Sequence, residues 1–266
     1  MNTRTNHEID YRIYGEEMQY VEIELDPSET AIAEAGSFMM MDDGVTMQTI
    51  FGDGSTQQGS GMLGKLLSAG KRILTGESLF MTAYTNTGQG KKQVSFASPY
   101  PGKIIPLDLQ QLGGRVICQK DAFLCAAKGV SVGIALQRKL GTGLFGGEGF
   151  IMQKLEGDGM AFVHAGGHVF EKILQPGELL KIDTGCLVAY TQTVEFEIQF
   201  IGGIRNSIFG GEGLFFATLR GPGKVWIQTL PVSRLASRIL AYGSFKRKEE
   251  GGILGGIGNL LDGDGV

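Results

Sequence analysis

The core Gly-Gly-Glu-Gly occurs twice, in LFGGEGF at 144–150 and in IFGGEGL at 208–214, so that Glu148 and Glu212 stand 64 positions apart. One offset shared by several features is the mark of an internal repeat, and a repeat constrains every later assignment. Nine residues beyond each glutamate lies a turn of one form, Gly157-Asp158-Gly159 and Gly221-Pro222-Gly223. A fainter third copy runs through LTGESLFMTAYTNTGQGKKQVSF, with Glu77 and the turn Gly88-Gln89-Gly90. A strand-like run enters each turn and another leaves it: LFMTAYT then KQVSFA, FIMQKLE then MAFVHA, LFFATLR then KVWIQTL. Apolar runs joined by glycine turns predict a β-hairpin in each copy.

A second shared element precedes each predicted hairpin and aligns Phe38 with Phe123 and Cys186. Together the two elements define three β units, about 20–97, 105–165 and 171–231, the first lengthened by an insertion between about residues 52 and 75. A unit of about 60 residues cannot cover its own apolar face, and no Pro/Ser-rich or charged linker separates the three. The expectation is one composite all-β domain over 1–245: three sandwich-like units in a pseudo-three-fold arrangement, with one or two peripheral helices. The Gly-rich tail at 246–266 is expected to be mobile, because its glycines oppose the helical spacing of its apolar residues.

Glycine usage supports strands and tight turns, with 43 glycines, about 16% against a usual value near 7%, and no Gly-X-Y period. A net charge of -4 offers no basic field for phosphates, so nucleic acid is not an expected partner. The N-terminal stretch has no apolar core of a signal peptide and no apolar run approaches the roughly 20 residues of a membrane span, which predicts a cytoplasmic protein. Cys118, Cys125 and Cys186 form no C-x-x-C pair and are expected as reduced, mostly buried thiols.

The repeated FGGEG, the insertion GMLGKLLSAGKRILTGESLF and the segment AEAGSFMMMDDGV resemble the altered-inheritance-of-mitochondria protein 24 family over about residues 8–245. The resemblance implies an all-β fold related to the trp RNA-binding attenuation protein, built from sandwich units of the double-stranded β-helix type. Mitochondrial members of that family are associated with inner-membrane organisation, and bacterial members are largely uncharacterised. It implies no catalytic residue, and a shared fold does not carry RNA or tryptophan binding.

Four sets of residues compete for a functional role. The glycines Gly146, Gly147, Gly149, Gly210, Gly211 and Gly213 open strands rather than a helix, so they read as sheet corners instead of a phosphate cradle. The carboxylates Glu77, Glu148 and Glu212 then read as acceptors for backbone N–H groups at those corners, with a ligand cavity among them as the competing reading. His164, His168 and Glu171 suggest a cupin-like metal site, the enzymatic alternative, although H-x3-H-x2-E departs from the cupin spacing; no cofactor is expected in the favoured reading. In the insertion, Met62, Leu63, Leu66 and Leu67 follow helical spacing with Lys65, Lys71 and Arg72 between them. Such a helix suits an anionic membrane surface or a protein partner, with packing on its own core or on another subunit as the structural alternative. A second amphipathic stripe, Val232, Leu235, Ala236, Ile239 and Leu240, is expected to pack on the core. The reading that emerges is a non-enzymatic homo-oligomeric scaffold or interaction protein, cytoplasmic and peripheral to the inner membrane.

Overall fold

The computed structural model describes residues 5–51, 80–138, 150–200, 215–240 and 242. The fold is all-β. After β1 (Asp10–Tyr14), strands follow in three successive sets of six. The first comprises β2 (Tyr20–Leu25), β3 (Thr30–Glu34), β4 (Phe38–Met41), β5 (Val45–Phe51), β6 (Phe80–Asn86) and β7 (Lys92–Ala97). The second comprises β8 (Gly102–Asp108), β9 (Arg115–Gln119), β10 (Phe123–Ala127), β11 (Ser131–Arg138), β12 (Phe150–Glu156) and β13 (Met160–Gly166). The third comprises β14 (Val169–Leu174), β15 (Leu179–Asp183), β16 (Leu187–Thr191), β17 (Glu195–Phe200), β18 (Phe215–Arg220) and β19 (Gly223–Gln228). Short 3-10 turns at Lys120–Ala122 and Thr184–Cys186 lead into β10 and β16.

Within every set the pairing follows one scheme: the sixth strand is flanked by the first and third, and the fifth by the second and fourth. The register carries the same irregularity each time, a bulge between Phe38 and Met40, between Phe123 and Cys125, and between Leu187 and Ala189. The position equivalent to Phe38 and Phe123 is therefore Leu187, not Cys186 as motif alignment suggested.

Successive sets are sewn together by backbone pairing. Strand β3 joins β10 through Ala33↔Cys125, Ile32↔Ala126 and Ala31↔Ala127, and β9 joins β16 through Cys118↔Ala189, Ile117↔Tyr190 and Val116↔Thr191. The result is two six-stranded sheets, β5-β6-β3-β10-β13-β8 and β11-β12-β9-β16-β19-β14, beside a four-stranded sheet β1-β2-β7-β4 and a three-stranded sheet β15-β18-β17.

The predicted hairpins do not form. Strands β6 and β7, β12 and β13, and β18 and β19 lie in different sheets, so each glycine turn carries the chain across a sandwich. Strand β13 already has β10 and β8 on its two edges, leaving no edge for β12. Because side chains alternate along a strand, a sheet covered on both faces reads as continuously apolar, and β13 is buried at all seven positions. Its Met160 and Phe162 join the core formed with Val21, Ile23 and Phe96 of the four-stranded sheet, while Ala161 and Val163 join the core against Val116, Leu155 and Trp226. A third core, with Met152, Leu187 and Val225 against Ala217 and Leu219, seats the three-stranded sheet.

The N-terminal segment is clasped by the β12–β13 turn. Asn6 Oδ1 accepts from the N–H groups of Asp158 and Gly159, and the Asp158 carboxylate accepts from the N–H groups of Thr5 and Asn6. A side chain at Gly157, whose φ is +145°, would strike Asn6, so this turn tolerates only glycine there.

Two other expectations meet the structure differently. Cys118 and Cys125 are buried free thiols, with burial pushing both thiol pKa values up, whereas Cys186 is only half-buried. A helix does form over 232–240, but its apolar stripe does not reach the core: Val232 is 38% and Ile239 63% exposed, and only Leu235 is half-buried. At its first turn Arg234 approaches Asp183 at 3.7 Å. No helix among the described residues is long and apolar enough to cross a membrane.

Phe162 is fully buried and meets the edge of the Tyr11 ring at 4.8 Å between centroids. Replacing Phe162 by alanine is expected to cost about 3–5 kcal/mol in a denaturant titration; a loss below about 1 kcal/mol would contradict this core assignment.

Candidate functional site

The feature that departs furthest from the rest of the fold is β4. Its sequence, FMMM, is as apolar as FLCAA in β10 and LVAYT in β16, which occupy the same place in their sets and are buried at every position. In β4 all four side chains are exposed, from 38% at Phe38 to 48% at Met39. The cause is topological. Strands β10 and β16 each have a strand on both edges, whereas β4 ends its sheet beyond β7 with no outer strand among the described residues.

A cleft of about 230 Å³ opens at the base of β4, where the chain turns out of β3. Glu34 and Ser37 line it from the turn, Asp121 and Phe123 from the approach to β10, and His164 from β13. Partial burial, reinforced by the negative charge of Asp121, lifts the Glu34 carboxyl to about 7 against the weaker opposite pull of Lys120. The ring of His164 is 2% exposed, and desolvation holds its pKa down to about 4. Its Nε2 lies 3.1 Å from the Tyr100 carbonyl oxygen, which only accepts, so Nε2 carries the proton. Nδ1 is then a buried acceptor with no hydrogen-bond partner among the described residues.

The corresponding place between the second and third sets is fully satisfied. There Gln119 stands where Glu34 does, and its Nε2 donates to the Thr184 carbonyl at 2.8 Å. Gln228 stands where His164 does, donating to the Gly185 carbonyl at 2.8 Å and accepting from the Gly166 N–H at 2.7 Å. Neutral amides at one corner are thus replaced at the other by titrating groups around an open space. Through Glu34 the cleft can exchange a proton near neutral pH. Ser37, the one hydroxyl among these lining residues, donates to the Glu34 carbonyl at 2.8 Å rather than facing a base.

The metal candidates are not brought together. His164 is buried beside Tyr100, His168 is exposed, and Glu171 accepts from Trp226 Nε1 while pairing with Lys224, each at 2.9 Å. No cluster of three or more His, Cys, Asp or Glu side chains suited to a metal ion occurs among the described residues. Glu77, Glu148, Glu212, the six corner glycines and the segment from Met62 to Arg72 lie outside the described residues. Sequence reasoning passed over Glu34 and the exposure of Phe38–Met41, whose only signal was four large apolar residues in a row.

Comparison with known proteins places this arrangement. The family described as Mitochondrial biogenesis AIM24 matches residues 11–230. The chain belongs to that family. It is 32% identical over 225 residues to the uncharacterized protein M6_Spy0233 of Streptococcus pyogenes serotype M6, covering 84% of this chain and 86% of the relative. The fold is similar to the crystal structure of SPYM3_0169 from Streptococcus pyogenes, with a TM-score of 0.69 and 24% identity over 88% of this chain and 99% of that one.

The raised Glu34 pKa sets a pH dependence. Relative to an unfolded carboxyl near 4.5, the folded state holds its proton longer, so Glu34 lowers stability progressively from about pH 4.5 to about 7 and by a constant amount above. Glu34→Gln, which copies Gln119, should therefore raise the melting temperature more at pH 8 than at pH 5. An equal shift at both values would show that Glu34 is not held protonated.

Proposed function

We propose that this chain is a non-enzymatic, oligomeric scaffold or interaction protein, cytoplasmic and peripheral to the inner face of the membrane. The observation that supports it is the β4 edge, where four consecutive large apolar side chains meet solvent on a strand whose counterparts are buried. An unpaired apolar strand edge is a template for adding another chain, and folded proteins blunt such edges unless they use them. The basic amphipathic spacing at 61–74 adds a surface of the kind that lies on anionic lipid. The cupin-like enzymatic alternative has no comparable support, because its three candidate ligands are separated by burial and by their own partners.

Flotation tests the membrane half of the reading. The purified full chain is expected to rise with vesicles containing phosphatidylglycerol and to stay behind with neutral phosphatidylcholine vesicles, and removal of residues 61–74 should abolish the flotation. A chain that floats with neither, or floats equally without 61–74, overturns the membrane attachment.

A further inference from the structure

We infer that β4 of one copy pairs with β15 of the next, making between chains the junction that the fold makes twice within the chain. The inference rests on the scaffold reading above and names its partner as a second copy of this chain. In each internal junction the second strand of one set pairs with the third strand of the following set: β3 with β10, then β9 with β16. The third set has its own second strand, β15, and the first set has its own third strand, β4. Neither has an outer neighbour among the described residues, and the two do not pair with each other.

Both show the cost of the missing partner. The equivalents of β15 are largely buried, TAIAE in β3 and RVICQ in β9, whereas LLKID in β15 alternates between exposed and half-buried, with Leu179 52% exposed. The internal junctions also fix the register. Pairing with the fifth strand makes Ala33, Cys118 and Ile182 equivalent, and pairing with the sixth makes Cys125, Ala189 and Met40 equivalent. Carried over, the antiparallel register is Ile182 opposite Met40, Lys181 opposite Met41 and Leu180 opposite Asp42. On one face Ile182 meets Met40 while Leu180 lies beside Asp42, at the end of the strand; on the other the exposed Lys181 lies along Met41, where its stem packs and its ammonium reaches water. The two edges differ, so the contact is heterologous: each copy offers β4 to one neighbour and β15 to another, which generates a ring or a filament.

Light scattering of the purified, tag-free full chain after size exclusion, across micromolar concentrations, tests the junction. The wild-type chain should have a mass several times that of one chain. Met41→Lys places a lysine opposite Lys181 and should return the protein to single chains with an unchanged circular dichroism spectrum and a melting temperature that no longer rises with protein concentration. Adding Lys181→Glu to Met41→Lys should restore the assembly, because opposite charges then face each other across the junction. A wild-type chain that is single throughout overturns the inference. Assembly that survives Met41→Lys overturns the junction while leaving an oligomeric scaffold intact, and a double variant that stays single overturns the role of β15, as a β4-to-β4 contact would give. Flotation reports separately on the membrane reading, so the two failures are distinguishable.

Discussion

The architecture depends on two short stretches of backbone pairing, β3 with β10 and β9 with β16, each joining only three residue pairs. These fuse parts of successive six-strand sets into sheets six strands wide, and sheets of that width cover one another on both faces. Buried backbone N–H and C=O groups need partners, and a strand in the middle of a layer finds them only in another strand. Small side chains make the layering close. Ala31, Ala33, Cys125, Ala126 and Ala127 line one junction, and Cys118 and Ala189 lie in the other. Small residues leave room for the layers that cover the sheet on both faces, although Val116, Ile117 and Tyr190 also lie in the second junction.

The same junctions explain why chemistry collects where it does. As a strand leaves a shared sheet it exposes a polar corner, which must be satisfied by its neighbours or left as an opening. At the corner of β9, Gln119 and Gln228 close the network with carbonyl and N–H partners. At the corner of β3, Glu34 and His164 take those places, and each is pushed toward its neutral form by desolvation. The cleft therefore holds a proton to near neutrality beside a buried histidine whose Nδ1 has no partner among the described residues. A buried acceptor left unpaired is unfavourable by about 1–3 kcal/mol.

Strand content was legible in the sequence because glycine turns bracket runs with strand-like composition. FIMQKLE is β12, MAFVHA falls in β13 and LFFATLR contains β18. What was not legible is which strands share a sheet. A turn such as Gly157-Asp158-Gly159 serves equally to reverse a strand within a sheet or to step across a sandwich, and a strand apolar on both faces carries no alternation to tell the two apart. Burial was equally hidden: FMMM and FLCAA have similar composition, and only the presence of a strand beside β10 separates them. The helix at 232–240 failed for a related reason, since its amphipathic stripe has the spacing of a packed helix although Val232, Ile239 and Leu240 are exposed. Glu34 gave no signal because its raised pKa comes first from burial and then from Asp121, 87 positions away in the chain, and both arise only after the chain has folded.

The two open edges are not alike, and their difference bears on how an apolar strand can remain exposed without indiscriminate association. Edge strands are commonly protected by an inward or central charge. Strand β15 carries Lys181 at its centre, so two copies aligned β15 to β15 about that residue would set lysine against lysine. Strand β4 carries no charge among its four residues but is short, which limits what any stray partner gains by pairing with it. Its three methionines are flexible and polarizable, able to pack along the aliphatic stem of Lys181 as well as against Ile182. Charge excludes one self-pairing and brevity weakens the other, so the arrangement favours the unlike pair, the combination that repeats the junctions already present inside the fold.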